Sequence, residues 1–157
     1  MKNGKGWIYA AFIGVSEVVG IIAGLLTKEG VSQIQEIHQS ALTPPGSVFM
    51  ILGPILYALM GIGAARVWMT PMGELRTRGI GTFFLQLLVN FFWSLFFFNL
   101  QAYGFSFLWI LILWGMILGM ILLFRKVDPL AAWLQIPYLL WVTFAAYLNF
   151  VIWRLNR

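Results

Sequence analysis

The sequence contains no cysteine and only five acidic residues in 157. Without thiols there are no disulfides, no thiolate metal sites and no cysteine nucleophile, and the redox compartment is left unread. A single histidine, His38, cannot make a metal site and reads as a solvated loop residue. Charged residues make up 10% of the chain, where a soluble domain carries about 25%. That is too little polar surface to cover a globule in water. No catalytic triad, phosphate-binding loop or pair of catalytic carboxylates is present, so no catalytic residue and no cofactor is assigned. The formal net charge of +5 could suit nucleic acid. The cations, however, are scattered between and beside apolar runs, as charges that set membrane topology are, and no nucleic-acid partner is expected.

What the chain has in quantity is apolar length: 61% of it is hydrophobic. A helix crossing the hydrocarbon core needs about 20 mostly apolar residues. Five such runs occur, at about 7–26, 46–68, 80–99, 105–124 and 130–153. None alternates apolar with polar residues as a membrane-barrel strand does. The fold class is therefore an all-α membrane protein, a single five-helix transmembrane bundle of residues 1–157. Thr43 before Pro44-Pro45 reads as an N-cap that starts span two, and Asp128-Pro129 does the same for span five. Gly73, Arg76, Arg78 and Gly79 mark the second loop, and Gln101 to Gly104 form a tight third turn. Trp7, Trp68, Tyr103, Trp133 and Trp153 fall near span ends, where amphipathic rings belong. The first run is long enough to be a retained helix and lacks a clear cleavage site.

An odd number of spans puts the termini on opposite sides. Lys2, Lys5, Arg66, Arg76, Arg78, Arg125 and Lys126 gather on one side, against Lys28, Arg154 and Arg157 on the other. The positive-inside rule then places the amino terminus in the cytoplasm. The first loop, 27–43, is the longest. Within it Val31, Ile34 and Ile37 recur at a spacing of three, which suits a short amphipathic helix lying on the bundle like a lid.

Several motifs together resemble one family. They are Thr43-Pro44-Pro45-Gly46, Leu56-Tyr57-Ala58-Leu59-Met60-Gly61, Val67-Trp68, and Gln86, Asn90 and Trp93 in span three. They continue with Asp128-Pro129-Leu130-Ala131-Ala132, Pro137-Tyr138-Leu139-Leu140-Trp141 and Leu148-Asn149-Phe150-Val151-Ile152-Trp153-Arg154. The chain resembles the translocator proteins, also called tryptophan-rich sensory proteins or peripheral benzodiazepine receptors. The resemblance implies five tightly packed helices, commonly a homodimer, in a membrane that is here expected to be a bacterial cell membrane. It also implies a pocket in the bundle for porphyrins or haem, sterols and synthetic benzodiazepine-type ligands. The chain departs from the family at three places. Leu42 stands where a tryptophan is usual, Ile51 and Gly53 replace a Pro-x-Trp, and Gln33-Ile34 replace a Trp-Tyr. Phe150 stands where the family's proposed sterol motif wants tyrosine, and no sterol binding is claimed from it.

Within that frame the candidate ligand-binding residues are Glu17, Ala23, Tyr57, Gln86, Asn90, Trp93, Tyr138, Trp141 and Asn149. Glu17 lies near the middle of span one, where an ionised carboxylate costs several kcal/mol and usually faces the bundle interior. Two roles fit it: a protonated hydrogen-bonding group, for instance to Asn90 or Asn149, or a ligand-facing, proton-sensitive one. Gln86, Asn90 and Asn149 carry amides that must find partners away from lipid, either as interhelical glue or as pocket lining. Trp93, Tyr138 and Trp141 offer mid-span rings for packing or for stacking on a flat ligand. Gly20-x-x-x-Gly24 and Gly115-x-x-x-Gly119 are small-residue pairs suited to close helix contact within one chain or across a dimer. The leading function is an intramembrane receptor, carrier or sensor for a flat hydrophobic ligand. The alternatives are a tryptophan-dependent porphyrin-degrading enzyme, which the resemblance allows for some members, and a structural membrane protein with no small ligand. Gly53 stands where one of the tryptophans of such an enzyme would be.

Overall fold

In a computed structural model the backbone is described for residues 2–36 and 46–156, and side chains for 5–31 and 51–156. Helices run over α1 Lys2–Glu36, α2 Gly46–Trp68, α3 Glu74–Ser94, α4 Tyr103–Val127, α5 Pro129–Trp133 and α6 Ile136–Leu155. A π-helical turn, Leu95–Asn99, extends α3. No strand occurs among the described residues. Among the described residues five segments are long and apolar enough to cross a membrane: Lys5–Val31, Ile51–Trp68, Glu74–Asn99, Tyr103–Val127 and Pro129–Leu155. These are the five expected spans, and the fold is a five-helix membrane bundle.

The boundaries carry four corrections. Residues 27–36, expected as the start of a loop, continue α1 without a break. The chain turns polar there, but Lys28, Glu29, Gln33, Gln35 and Glu36 are good helix formers. A change of polarity is thus not a change of backbone. The rest of the expected lid, His38 and the Thr43-Pro44-Pro45 cap lie outside the described residues. Arg76, Arg78 and Gly79, expected in the second loop, belong to α3, which starts at Glu74 just after Gly73. Glu74 suits the positive end of that helix, and Arg78 pairs with it one turn on at 2.5 Å. The third turn is shorter than expected: only Leu100 to Ala102 separate the helices, and Gln101 adopts a left-handed φ of 52°. Span five breaks into α5 and α6 at Leu134–Gln135, just before Pro137 in the first turn of α6.

Helix α1 packs along α2, and also meets α3 and its π turn; α3 packs on α4, and α4 on α5 and α6. Gly61 lets α1 and α2 touch, since a Cβ there would lie 2.6 Å from the Ile13 Cα. The main core is built from Leu56, Met60, Ala64, Val67, Phe83, Leu113, Ile117, Met120, Phe124, Tyr138 and Val142, among others. At the end that carries the amino terminus, Arg66 on α2 donates to Asp128 at 2.7 Å. Asp128 does occupy the N-cap position of α5, but its side chain makes no capping bond. The carboxylate goes to Arg66 instead, because an ion pair outweighs a bond to a neutral N–H.

Candidate functional site

Gln86, Asn90 and Asn149, whose amides are expected to face inward, each hydrogen-bond to side chains on other helices. On α3, Asn90 and Gln86 lie one turn apart. The Asn90 Nδ2 donates to the Tyr138 hydroxyl at 2.9 Å and, at 3.4 Å, to the Tyr57 hydroxyl. Tyr138 in turn donates to Gln86 Oε1 at 2.7 Å. The remaining Gln86 donor points at the Met60 sulfur, 3.5 Å away. One chain of polar groups therefore ties α2, α3 and α6 together in mid-bundle. In hydrocarbon each of these groups would be costly unpaired, so the helices can rotate only to settings that satisfy them all.

A second cluster lies one turn further along α3. The Trp93 indole N–H donates to Asn149 Oδ1 at 3.0 Å, and Asn149 Nδ2 donates to the Tyr103 carbonyl at 2.8 Å. The Trp93 ring stacks on Phe97 with centroids 5.1 Å apart. The hydrogen bonds thus divide the sequence-derived set in two: Tyr57, Gln86, Asn90 and Tyr138 in one cluster, Trp93 and Asn149 in the other. Gln86 and Asn149 have no accessible surface. Tyr103, expected as an interfacial ring, instead buries its hydroxyl and lends its carbonyl to Asn149.

Glu17 is half-buried on α1. No hydrogen bond joins it to Asn90 or Asn149 among the described residues; those amides are directed to Tyr57, Tyr138 and Tyr103. The Tyr57 ring packs against the same helix at Gly20, one turn on from Glu17. A Cβ on Gly20 would sit 2.5 Å from the Tyr57 ring, so the absent side chain lets that ring lie against α1. Ala23, one further turn on, is buried. Trp141 lies one turn from Tyr138 on α6, half-buried against the core and 5.9 Å from Phe144 between ring centroids.

Gly53 is one helical turn before Tyr57 and on the same face of α2. No described atom lies within 4 Å of where its Cβ would be. Gly24, Gly115 and Gly119 are open in the same sense, so among the described residues Gly20 is the member of the two small-residue pairs that packs within the chain. Met60 and Tyr103 are the members of these clusters that sequence reasoning missed as polar contacts. Only their neighbours' geometry identifies them, since a thioether and a backbone carbonyl carry no signal in the sequence. Among the described residues no group of three or more His, Cys, Asp or Glu could hold a metal ion.

Comparison with known proteins finds relatives along most of the chain. The chain is 39% identical over 121 residues to protein CrtK of Rhodobacter capsulatus, covering 76% of each chain. It is 34% identical over 149 residues to the tryptophan-rich protein TspO of Chlorobaculum tepidum, covering 94% of each. To the human translocator protein it is 29% identical over 158 residues, covering 96% of this chain and 92% of the other. Residues 12–154 match the profile of the TspO/MBR family. With that match spanning all five helices and both hydrogen-bonded clusters, this five-helix integral membrane protein belongs to the TspO/MBR family.

Proposed function

We propose that the chain is a membrane receptor, carrier or sensor that binds a flat hydrophobic ligand, of porphyrin or haem type, beside Gly53. The observation that carries this reading is the joint presence of satisfied polar side chains in mid-bundle and open space one turn away. A ligand site in a bundle is mostly apolar, with a few fixed polar groups, and Tyr57, Asn90 and Tyr138 supply such groups. In this reading Tyr57, Trp141 and Glu17 form the reachable wall, and Ala23 lines it from α1. Gln86, enclosed by protein, acts as a positioning residue that holds the Tyr138 hydroxyl. Trp93 and Asn149 hold α3 against α6 behind that wall. The proposal includes a homodimer, a bacterial cell membrane and a cytoplasmic amino terminus.

Tryptophan-fluorescence titration of the detergent-solubilised protein with protoporphyrin IX and with haem tests it. Saturable quenching is expected, and Trp141→Ala, which leaves seven of the eight tryptophans, should weaken binding several-fold. That factor follows from the ~0.5–1.5 kcal/mol an aromatic contact adds beyond its burial. Quenching that never saturates, or an affinity indifferent to Trp141→Ala, would remove the reading. Light-dependent loss of porphyrin abolished by Trp141→Phe would favour the enzyme instead. Glu17→Gln, which keeps a hydrogen-bonding group without charge, should leave affinity nearly unchanged; abolished binding with intact stability would assign Glu17 a direct ionic role. For orientation, a cytoplasm-sensitive reporter before Lys2 should be active and one after Arg157 silent.

A further inference from the structure

The charges at the amino-terminal end of the bundle do not cancel, and their arrangement is specific. That end carries two acidic residues, Glu74 and Asp128. Glu74 is held by Arg78 at 2.5 Å and Asp128 by Arg66 at 2.7 Å. Arg76 lies over the Trp68 ring, 4.1 Å from its centroid, and donates to the Trp68 carbonyl. Arg125 and Lys126, in the last turn of α4, are both exposed and have no acidic partner among the described residues. Asp128 is only two residues from Lys126, yet its carboxylate is directed to Arg66.

The negative end of the α4 dipole favours cations there, but it amounts to only about half a charge, shared by two full ones. Helix α5, which packs against α4, buries Ala131 and Ala132. It leaves Leu130 and Trp133 exposed, at 49% and 71%. An exposed indole and an exposed leucine on the helix that follows these two cations and packs against theirs match a molecule with an anionic head and an apolar tail. We propose that Arg125 and Lys126, with the Leu130–Trp133 face of α5, form a site for an anionic phospholipid, the cations taking the phosphate headgroup and the α5 face its upper acyl chain. The site lies at the end of α4, away from the mid-bundle hydrogen-bonded clusters.

The test reconstitutes the full chain in phosphatidylcholine bilayers containing dibrominated phosphatidylglycerol or dibrominated phosphatidylcholine, with tryptophan quenching as the measure of relative affinity. Phosphatidylglycerol should be preferred several-fold, since a basic residue near a membrane surface contributes about 1 kcal/mol, roughly five-fold, toward an anionic lipid. The double variant Arg125→Gln, Lys126→Gln should bring the preference close to parity. Arg154→Gln, at the opposite end, should leave it intact. The swap Arg125→Lys, Lys126→Arg keeps the charge and should keep the preference. Excess inorganic phosphate at constant ionic strength should leave the preference unchanged. The proposal is overturned if the Gln double variant retains the preference, if the swap loses it, if Arg154→Gln removes it, or if inorganic phosphate competes it away, which would make this a site for a soluble anion.

Discussion

Helix α2 passes through two different environments along its length. From Met60 to Val67 it is sealed: Ala64, Ala65 and Val67 have no accessible surface, and Gly61 meets the α1 backbone directly. Two turns earlier, at Gly53, no described atom lies within 4 Å of where a Cβ would be. Tyr57 stands between the two, its ring against Gly20 and its hydroxyl on Asn90. The same helix therefore serves as scaffold at one end and, in the proposed reading, as pocket wall at the other. Substitutions in the sealed part should change stability, and those in the open part should change ligand binding.

The largest effect is expected at Gly61. Gly61→Val forces α1 away from α2 and should destabilise the bundle by roughly 3 kcal/mol, the upper part of the usual overpacking range. Thermal unfolding in detergent measures it, with Gly53→Val as the matched substitution in the open half. Equal losses at the two glycines would erase the contrast between the halves of α2.

Tyr138→Phe should come next. It leaves an Asn90 donor and the Gln86 acceptor without the hydroxyl between them, at a cost of about 1 kcal/mol. A change within experimental error would show that the amides find each other once the hydroxyl is gone. Tyr57→Phe loses only a long bond of 3.4 Å, and roughly 0.5 kcal/mol is expected. Its effect on porphyrin affinity should exceed its effect on unfolding.

The smallest change in stability is expected at Gly53. Gly53→Leu should leave the thermal midpoint nearly unchanged, within about 0.5 kcal/mol as for a substitution that meets no neighbours. The added side chain should nevertheless occupy the open space and weaken porphyrin binding several-fold. Unchanged affinity would place the ligand elsewhere in the bundle, and the contrast would then concern packing alone.

Much of this was legible before any coordinates. Gln86, Asn90 and Asn149 were expected to turn inward because an amide cannot face lipid unpaired, and each is hydrogen-bonded within the bundle. Which partner each one takes was not legible. For Glu17 the sequence suggests Asn90 or Asn149, yet those amides bond to tyrosines and Trp93 instead, and the missing side chain of Gly20, one turn on, brings the Tyr57 ring against α1. Asp128 had the sequence context of a helix cap, and a cation 62 residues away takes its carboxylate. Tyr103 resembled an interfacial ring, but its hydroxyl is buried.

Hydropathy alone determined the number of spans and the membrane class, because transfer of a 20-residue segment out of water depends on its summed composition and hardly on its neighbours. Burial of the mid-span amides followed from the same local cost. The tertiary structure decided the rest: that α1 runs on to Glu36, that Tyr57, Asn90, Tyr138 and Gln86 form one chain while Trp93 and Asn149 form another, and that α2 is closed at Gly61 and open at Gly53. These depend on how far each helix rotates and how closely it approaches the next. Packing and hydrogen bonds between distant parts of the chain set both, and no single segment encodes them.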